Sequence, residues 1–213
     1  MDNLDLSRRE RKKIESRARI LKAARRLFQQ KDYDNTSIEE IAETADVSKS
    51  TFFNYFPTKE SLLDGIAADE IAEIRFLIKA DLVGITSPVE KIRIAMKHFA
   101  TDSSTYLRVT RKVVWATVFR TDEYPQPVIE MEKILVELIM EAQENGEIQK
   151  KLKPLEIATA IIGMYFAAFF HWIRESQDSL DTPEFEFDSL LDMLFTGIAG
   201  LNYKNNVHEK SGN

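Results

Sequence analysis

Residues 44–63 read TADVSKSTFFNYFPTKESLL, and this stretch decides the fold of the N-terminal part of the chain. Ser48 is suited to cap a short helix that runs to about Tyr55, because its hydroxyl can accept a hydrogen bond from a first-turn amide. Pro57 ends that helix, since the residue before a proline is pushed out of helical geometry. Thr58 is suited to cap the next helix, predicted from residue 59 to about residue 83.

A second short helix precedes this stretch, within TSIEEIAETADV at residues 36–47. Thr36 with Glu39, or Ser37 with Glu40, has the spacing of a capping box, and the pattern leaves both options open. Further upstream, apolar residues recur at helical spacing and predict a first helix. They are Ile20, Leu21, Ala24, Leu27 and Phe28. Two short capped helices joined by a tight turn indicate a helix-turn-helix.

Charge is distributed very unevenly along the chain. Residues 8–31 contain eleven Lys and Arg against two Glu, so they carry +9, whereas the net charge of the chain is -6. A basic end on an acidic protein suggests a surface that meets a polyanion, although a solvated basic helix face gives the same pattern.

The composition excludes several classes of function. The 213 residues include no cysteine, which removes disulfides, thiolate metal sites and cysteine nucleophiles. None of the three histidines has Glu or Asp three residues before it, so the di-iron pattern of helical bundles is absent. There is no glycine-rich phosphate loop or nucleophile elbow. We therefore predict no enzyme, no metal and no cofactor. The charged start is unlike a signal peptide, which predicts a cytoplasmic protein.

The remainder of the chain also shows helical patterns and no strand-like alternation, so the predicted fold class is all-α. Helices are predicted at about 88–100, 102–119, 127–146, 154–176 and 184–203, followed by a disordered tail at 204–213. The uncharged run Ile157–Ile173 has 17 residues, the lower edge of a membrane span. A helix buried on several sides explains this run better, and we predict no membrane contact.

The start of the third helix is chemically suited to DNA. An α-helix fits the major groove, and the residues of its first turn face base edges. Ser48, Ser50 and Thr51 are small enough to allow close approach, and Lys49 can reach a phosphate or a guanine. Each capping residue also has a purely structural interpretation.

The segment of about residues 17–65 resembles the DNA-binding domain of TetR-family transcriptional regulators. The resemblance rests on TSIEEIA at 36–42, VSKST at 47–51 and FPTKESLL at 56–63. It implies a basic N-terminal arm at 1–16, a helix-turn-helix domain at 17–63 and a helical domain at 64–203. It also implies a set of DNA contacts: Thr36, Ser37, Ser48, Lys49, Ser50, Thr51, Phe53, Asn54, Tyr55 and Lys59. Phe53 departs from the family, which often has tyrosine there, and it lacks the hydroxyl for a hydrogen bond to DNA.

For the C-terminal domain, the resemblance implies a small-molecule effector and a homodimer formed through helices 154–176 and 184–203. Aromatic and sulfur-containing side chains offer a pocket lining, although at helical spacing they can equally be plain core. They are Phe76, Met96, Phe99, Tyr106, Trp115, Phe119, Tyr165 and Phe169. His98 and His171 are possible polar anchors.

The function that the resemblance implies is that of a sequence-specific regulator, a repressor that an effector releases from a palindromic operator. Two alternatives stay open at this point: a ligand-responsive activator, and an architectural protein that binds DNA without sequence preference. The net charge of -6 is unfavourable for coating DNA and weighs against the second.

Overall fold

The computed structural model describes residues 7–120, 124–178 and 187–197, and within them every regular element is helical, which confirms the all-α prediction. Two of the helices, α4 and α6, continue into π-helical turns, Leu77–Asp81 and Trp115–Phe119. The helices are α1 Arg8–Lys31, α2 Ile38–Thr44, α3 Lys49–Tyr55, α4 Ser61–Phe76, α5 Pro88–Thr105, α6 Leu107–Val114, α7 Gln126–Glu144, α8 Pro154–Asp178 and α9 Phe187–Thr196.

Helix α1 begins much earlier than the apolar stripe alone indicates. Ser7 and Glu10 form a capping box, in which the Ser7 hydroxyl accepts from the Glu10 amide and the Glu10 carboxylate accepts from the Ser7 amide. This cap satisfies two orphan amides, and the following Arg and Lys residues are good helix formers. The predicted arm at 1–16 is therefore helical from residue 8 onward. Residues 1–6 of that arm lie outside the described residues.

Two hydrophobic cores lie side by side, and two helices belong to both. The N-terminal core joins α1, α2 and α3 to the first half of α4, through Leu62, Leu63 and Ile66. The second half of α4 enters the C-terminal core at Ile71 and Ile74. Helix α6 is divided in the same way, with Val109 and Val113 in the first core and Val114 in the second. A displacement of either helix would therefore move residues of both cores.

Gly65 allows α4 to pass close to the end of α3. A Cβ atom at this position would lie 2.7 Å from Phe56 Cε1 and 3.0 Å from Leu21 Cδ2, both closer than ordinary contact. Around Gly65, the end of α3 and helix α4 therefore pack too closely to leave room for a larger side chain.

Several helix boundaries differ from the sequence prediction. Helix α4 starts at Ser61 rather than residue 59, with the Thr58 hydroxyl accepting from the Ser61 amide at 3.1 Å. The break after α5 falls at Tyr106 rather than near residue 101. Gly146, at φ +79°, follows the end of α7 as its residue type predicts. The predicted tail at 204–213 lies outside the described residues.

Helix α8 is long and apolar enough to span a membrane by composition, with a mean hydropathy of 1.4 over Pro154–Glu175. The core helix of a soluble protein has the same composition. Ala158, Ile161, Tyr165 and Ala168 are buried against the neighbouring helices of the C-terminal core. Packing within the chain accounts for part of this composition, since 39% of that stretch is buried.

Candidate nucleic-acid interface and effector cavity

Helix α3 is held in place by its aromatic residues. Phe52 is fully buried and Phe56 is 3% exposed, so both are packing residues. Seven residues are too few for a stable isolated helix, so the conformation of α3 depends on this anchoring. The opposite face carries Ser50, Phe53 and Asn54, which are exposed.

The N-terminus of α3 presents a group of hydroxyls. The Ser48 hydroxyl accepts from the Thr51 amide at 3.1 Å and lies 2.8 Å from the hydroxyls of both Ser50 and Thr51. The predicted cap is thus present. Ser48 and Ser50 are also exposed, so capping does not prevent contact with a phosphate or a base edge.

Lys49 points away from the helix body but is not free in this structure. Its ammonium pairs with the Glu39 carboxylate of α2, and both side chains are more than half exposed. An exposed ion pair of this kind contributes little to stability, so a DNA phosphate can replace Glu39 at small cost. Tyr55 is half-buried and packs against the N-terminal core.

The start of α2 settles the choice between the two capping boxes. Ser37 is the cap: its hydroxyl accepts from the Glu40 amide at 3.2 Å, and the Glu40 carboxylate accepts from the Ser37 amide at 2.8 Å. Thr36 is 3% exposed, and its hydroxyl donates to the Asp32 carbonyl. Thr36 therefore closes the turn before α2, whereas Ser37 remains exposed at the surface.

Lys59 is also engaged within the chain. Its ammonium donates to the Tyr33 carbonyl and lies 4.2 Å from the centroid of the Tyr33 ring. Burial lowers its pKa from the ordinary lysine value. For Lys59 to contact a phosphate, it would have to leave a cation–π site, which is a larger change than Lys49 requires.

The basic half of α1 lies beside the helix-turn-helix. Arg17 stacks over the Phe56 ring at 5.6 Å, and Arg19 pairs with Asp46 in the turn between α2 and α3 at 3.3 Å. Arg9, Arg11, Lys12 and Lys13 continue along the same helix and are exposed. Part of the basic charge of α1 is thus in direct contact with the helix-turn-helix.

Two neighbouring cavities lie in the C-terminal domain. The outer cleft, of about 780 Å³, is bounded by α4, α7 and the turn at Trp115–Phe119, with Phe76 and Tyr124 among its lining residues. The inner cavity, of about 60 Å³, extends into the core. Ile71, Thr117 and Pro127 line both, so the two cavities adjoin, and together they are called the recess.

The predicted pocket residues separate into three groups. Met96, Phe99 and Tyr165 line the inner cavity, and Phe76 lines the outer cleft. Phe169 is buried in the core. The remaining three, Tyr106, Trp115 and Phe119, are exposed at the surface.

Each of the three exposed aromatics has its own surroundings. Tyr106 lies under the Arg25 guanidinium at 5.6 Å. Trp115 and Phe119 lie on the π-helical turn with their ring centroids 6.1 Å apart, and Phe119 also lies 6.0 Å from Phe166. Of the two predicted anchors, His98 is exposed, and His171 contacts Arg174 at 3.1 Å.

A buried ion cluster between the two domains was missed at the level of sequence. Arg25 of α1 bonds Asp102 of α5 at 2.6 Å and Glu70 of α4 at 3.2 Å, and lies 3.8 Å from Glu73. The Arg25 and Glu70 side chains are only 15% and 13% exposed. Burial raises the pKa of Glu70 to about 7, although Arg25 opposes that shift. Glu70 also lines the inner cavity, so the cluster joins the cavity to helix α1.

Comparison with known proteins connects this geometry to gene regulation. Residues 20–66 match the family model described as bacterial regulatory proteins, tetR family. A 44-residue stretch is 50% identical to the uncharacterized transcriptional regulator YuxN of Bacillus subtilis, over 21% of this chain and 15% of that protein. The transcriptional repressor KstR of Mycobacterium tuberculosis is 23% identical over 170 residues, 80% of this chain and 76% of that protein.

Among solved structures, the transcriptional regulator FadR of Bacillus subtilis in complex with stearoyl-CoA has a similar fold. The TM-score is 0.65 at 18% identity, covering 85% of this chain and 99% of that chain. The similarity of fold extends through the C-terminal domain, where the sequence pattern alone indicated only helices.

Proposed function

Since the chain belongs to the TetR family of bacterial transcriptional regulators, we propose that it is a homodimeric repressor that a small-molecule effector releases from a palindromic operator. The observation that carries this proposal is helix α3, anchored by the buried Phe52 with its hydroxyls, Lys49 and Asn54 turned outward. A protein of this kind acts on DNA in the cytoplasm, and the matches are to regulators rather than enzymes.

The exposed face of α8 supports a homodimer. Leu155, Thr159, Gly163, Ala167 and Phe170 recur every three or four residues and are exposed in the single chain. Leu155 and Phe170 are 55% and 54% exposed, which is unusual for large apolar side chains of a core helix. Nothing lies within 4 Å of a Cβ built on Gly163, so a second helix could approach closely there.

We expect Phe170→Glu to convert the dimer to a monomer, because it replaces a large exposed side chain of this apolar face with a charge. Size-exclusion chromatography with light scattering measures the change. Val83→Glu is the matched control, since Val83 is 77% exposed and lies away from α8 in sequence. A Phe170→Glu protein that stays dimeric would place the interface elsewhere.

The recess in the C-terminal domain supports an effector. Its outer cleft has the size of a small-molecule site, and its inner end is walled by aromatic side chains. The Bacillus subtilis FadR structure holds stearoyl-CoA, which makes a ligand-responsive regulator the natural comparison. Both helices that cross between the cores, α4 and α6, line the recess.

The proposed mechanism follows because α4 and α6 line the recess and also belong to both cores. A ligand in the recess would displace α4 and α6, and these helices carry part of the N-terminal core. In a dimer the displacement would change the distance between the two α3 helices. Half-sites lie about 34 Å apart, one turn of DNA, so a shift of a few ångströms lowers affinity.

The test is binding to the DNA that flanks the protein's own gene, measured by fluorescence polarisation against scrambled duplex over a salt series. A preference for the flanking DNA of about a thousandfold is expected of a specific regulator. Equal binding to both duplexes with the same salt slope would leave only electrostatic contact, as for an architectural protein.

Lys49→Ala should weaken binding to the preferred duplex by about tenfold, because the lysine exchanges Glu39 for a DNA group. Loss of a phosphate contact also lowers the salt slope by about one. Lys133→Ala is the control, since Lys133 is similarly exposed at 59% but lies on α7. Equal effects of the two substitutions would show a general charge effect and no contact at Lys49.

A further inference from the structure

The inner cavity carries one strongly polar feature in an apolar surrounding. Among its lining residues, aromatic and aliphatic side chains predominate, including Phe99, Tyr165 and Phe166. Glu70 is the one charged side chain of that lining. A carboxylate at the end of an apolar recess would determine the charge of whatever binds there.

Two hydroxyls of the inner cavity lining, those of Tyr165 and Thr117, already donate their protons within the chain. The Tyr165 hydroxyl donates to the Ser103 hydroxyl at 3.0 Å, so its proton is already used. The Arg25 guanidinium, the nearest cation to Glu70, also faces the carboxylates of Glu73 and Asp102. A carboxylate or phosphate entering the inner cavity would find no cation there to neutralise it.

The ion cluster has a surplus of negative charge. One guanidinium faces three carboxylates, so the cluster has a net charge of -2 when all four groups are ionised. An additional cation next to Glu70 would reduce this imbalance, and aromatic walls favour cations as well.

We propose that the effector carries a protonated amine, which binds the Glu70 carboxylate in the inner cavity, and an apolar body, which occupies the outer cleft. This proposal rests on the proposed function, because it names the ligand of the same recess. The outer cleft does not select for either sign of charge, because two carboxylates balance two cations. They are Asp64 and Glu130 against Arg75 and Lys79.

The proposed ligand would act directly on the DNA-binding domain. Glu70 bonds Arg25 of α1 at 3.2 Å, and an ammonium at Glu70 would compete with that bond. The contact between α1 and α4 would weaken as the ligand binds. The effector charge and the release of DNA are thereby linked through one carboxylate.

Binding of an amine should depend on pH in a defined direction. An ammonium binds the ionised carboxylate, so it competes with the proton that Glu70 holds below its pKa of about 7. Affinity should therefore rise from pH 6 to pH 8. The charged and titratable groups around Glu70 are Arg25 of α1, Asp69 and Glu73 of α4, His98 and Asp102 of α5, and Tyr165 of α8.

The test is calorimetric titration of the full chain with octylammonium, octanol and octanoate, which share one chain and differ in the charge of the head group. Octylammonium is expected to bind about tenfold more tightly than octanol at pH 8, and octanoate more weakly than both. The octylammonium affinity should increase between pH 6 and pH 8, and the octanol affinity should not.

Glu70→Gln should remove both the preference for octylammonium and its pH dependence. Glu73→Gln is the matched control, because Glu73 faces the same arginine but does not line the inner cavity. The proposal is overturned if octanol or octanoate binds wild-type protein as tightly as octylammonium, or if octylammonium does not bind at millimolar concentration. Should Glu70→Gln fail to fold, the pH series on wild-type protein decides alone.

Operator binding by the ligand-free protein separates this proposal from the proposed function. Specific operator binding without a preference for octylammonium overturns the ligand class and leaves the repressor intact. Failure of the ligand-free protein to prefer any operator overturns the repressor, whichever head group the recess binds.

Discussion

Phe52→Ala is expected to lower the free energy of unfolding by about 3–5 kcal/mol, the usual cost of removing a fully buried phenylalanine. The effect on DNA binding should be larger still. Helix α3 has seven residues and depends on tertiary anchoring, so the loss of Phe52 leaves the hydroxyls and Lys49 without a fixed position. Urea unfolding and fluorescence polarisation with the flanking duplex measure the two effects.

Phe53→Ala is the control that the chain itself provides. Phe53 is the next residue in the same helix, is 44% exposed, and meets Phe52 edge to face at 5.5 Å. Its loss should change stability by less than about 1 kcal/mol. If Phe53 contacts a thymine methyl, binding of the preferred duplex will weaken while binding of scrambled duplex will not.

Two results would contradict these expectations for Phe52→Ala and Phe53→Ala. If Phe52→Ala is no more destabilising than Phe53→Ala, α3 is not held by the packing that its burial indicates. If Phe53→Ala weakens specific and scrambled binding equally, Phe53 is a surface residue without a role in base recognition.

Local signals in the sequence were sufficient for the helix-turn-helix. The Ser48 cap and the end of α3 before Pro57 depend on residues within one helical turn of each other. Short-range chemistry of this kind can be read without knowing the tertiary fold. The helical class of the C-terminal domain follows from periodicity in the same way.

Other features depend on neighbours that the sequence does not identify. Thr36 and Ser37 both fit a capping box, and the choice between them depends on which residue faces the core. In the sequence, no residue near Lys59 identifies the partner of its ammonium. In the fold, the ring and carbonyl of Tyr33 lie beside it. The helical start of α1 depends on Ser7, which the apolar stripe from Ile20 does not reach.

The ion cluster is the clearest case of a tertiary feature without a local signal. Arg25 is 45 residues from Glu70 and 77 residues from Asp102. A single sequence offers many such charges, and no spacing rule pairs them. Glu70 is identified as a candidate only when its burial and its place in the cavity wall are seen together.

Arg25→Ala is therefore the second substitution with a large expected effect. Removing one partner of a buried ion pair leaves the opposing charges uncompensated, which costs about 3 kcal/mol or more. Arg25 and Glu70 retain some solvent exposure, which places the expected loss near 3 kcal/mol. The stacking of Arg25 over Tyr106 is lost as well.

The stability that Arg25→Ala loses should depend on pH, because a carboxylate needs the charge of Arg25 only when it is ionised. The folded pKa of Glu70 is about 7, above its ordinary value of 4.5, so between these values the folded chain holds a proton that the unfolded chain has released. Stability from this group therefore falls as pH rises from about 4.5 to 7. Without Arg25 the pKa of Glu70 rises further, so the defect should be larger at pH 8 than at pH 5.

Urea unfolding of wild-type and Arg25→Ala protein at pH 5 and pH 8 measures this difference. Arg26→Ala is the control, since Arg26 is the exposed neighbour on the same helix and should cost less than about 0.5 kcal/mol at either pH. Adding Glu70→Gln to Arg25→Ala should restore part of the stability at pH 8, because it removes a carboxylate that has lost its partner. An equal defect at both pH values would mean that the charge of Glu70 does not contribute to the loss.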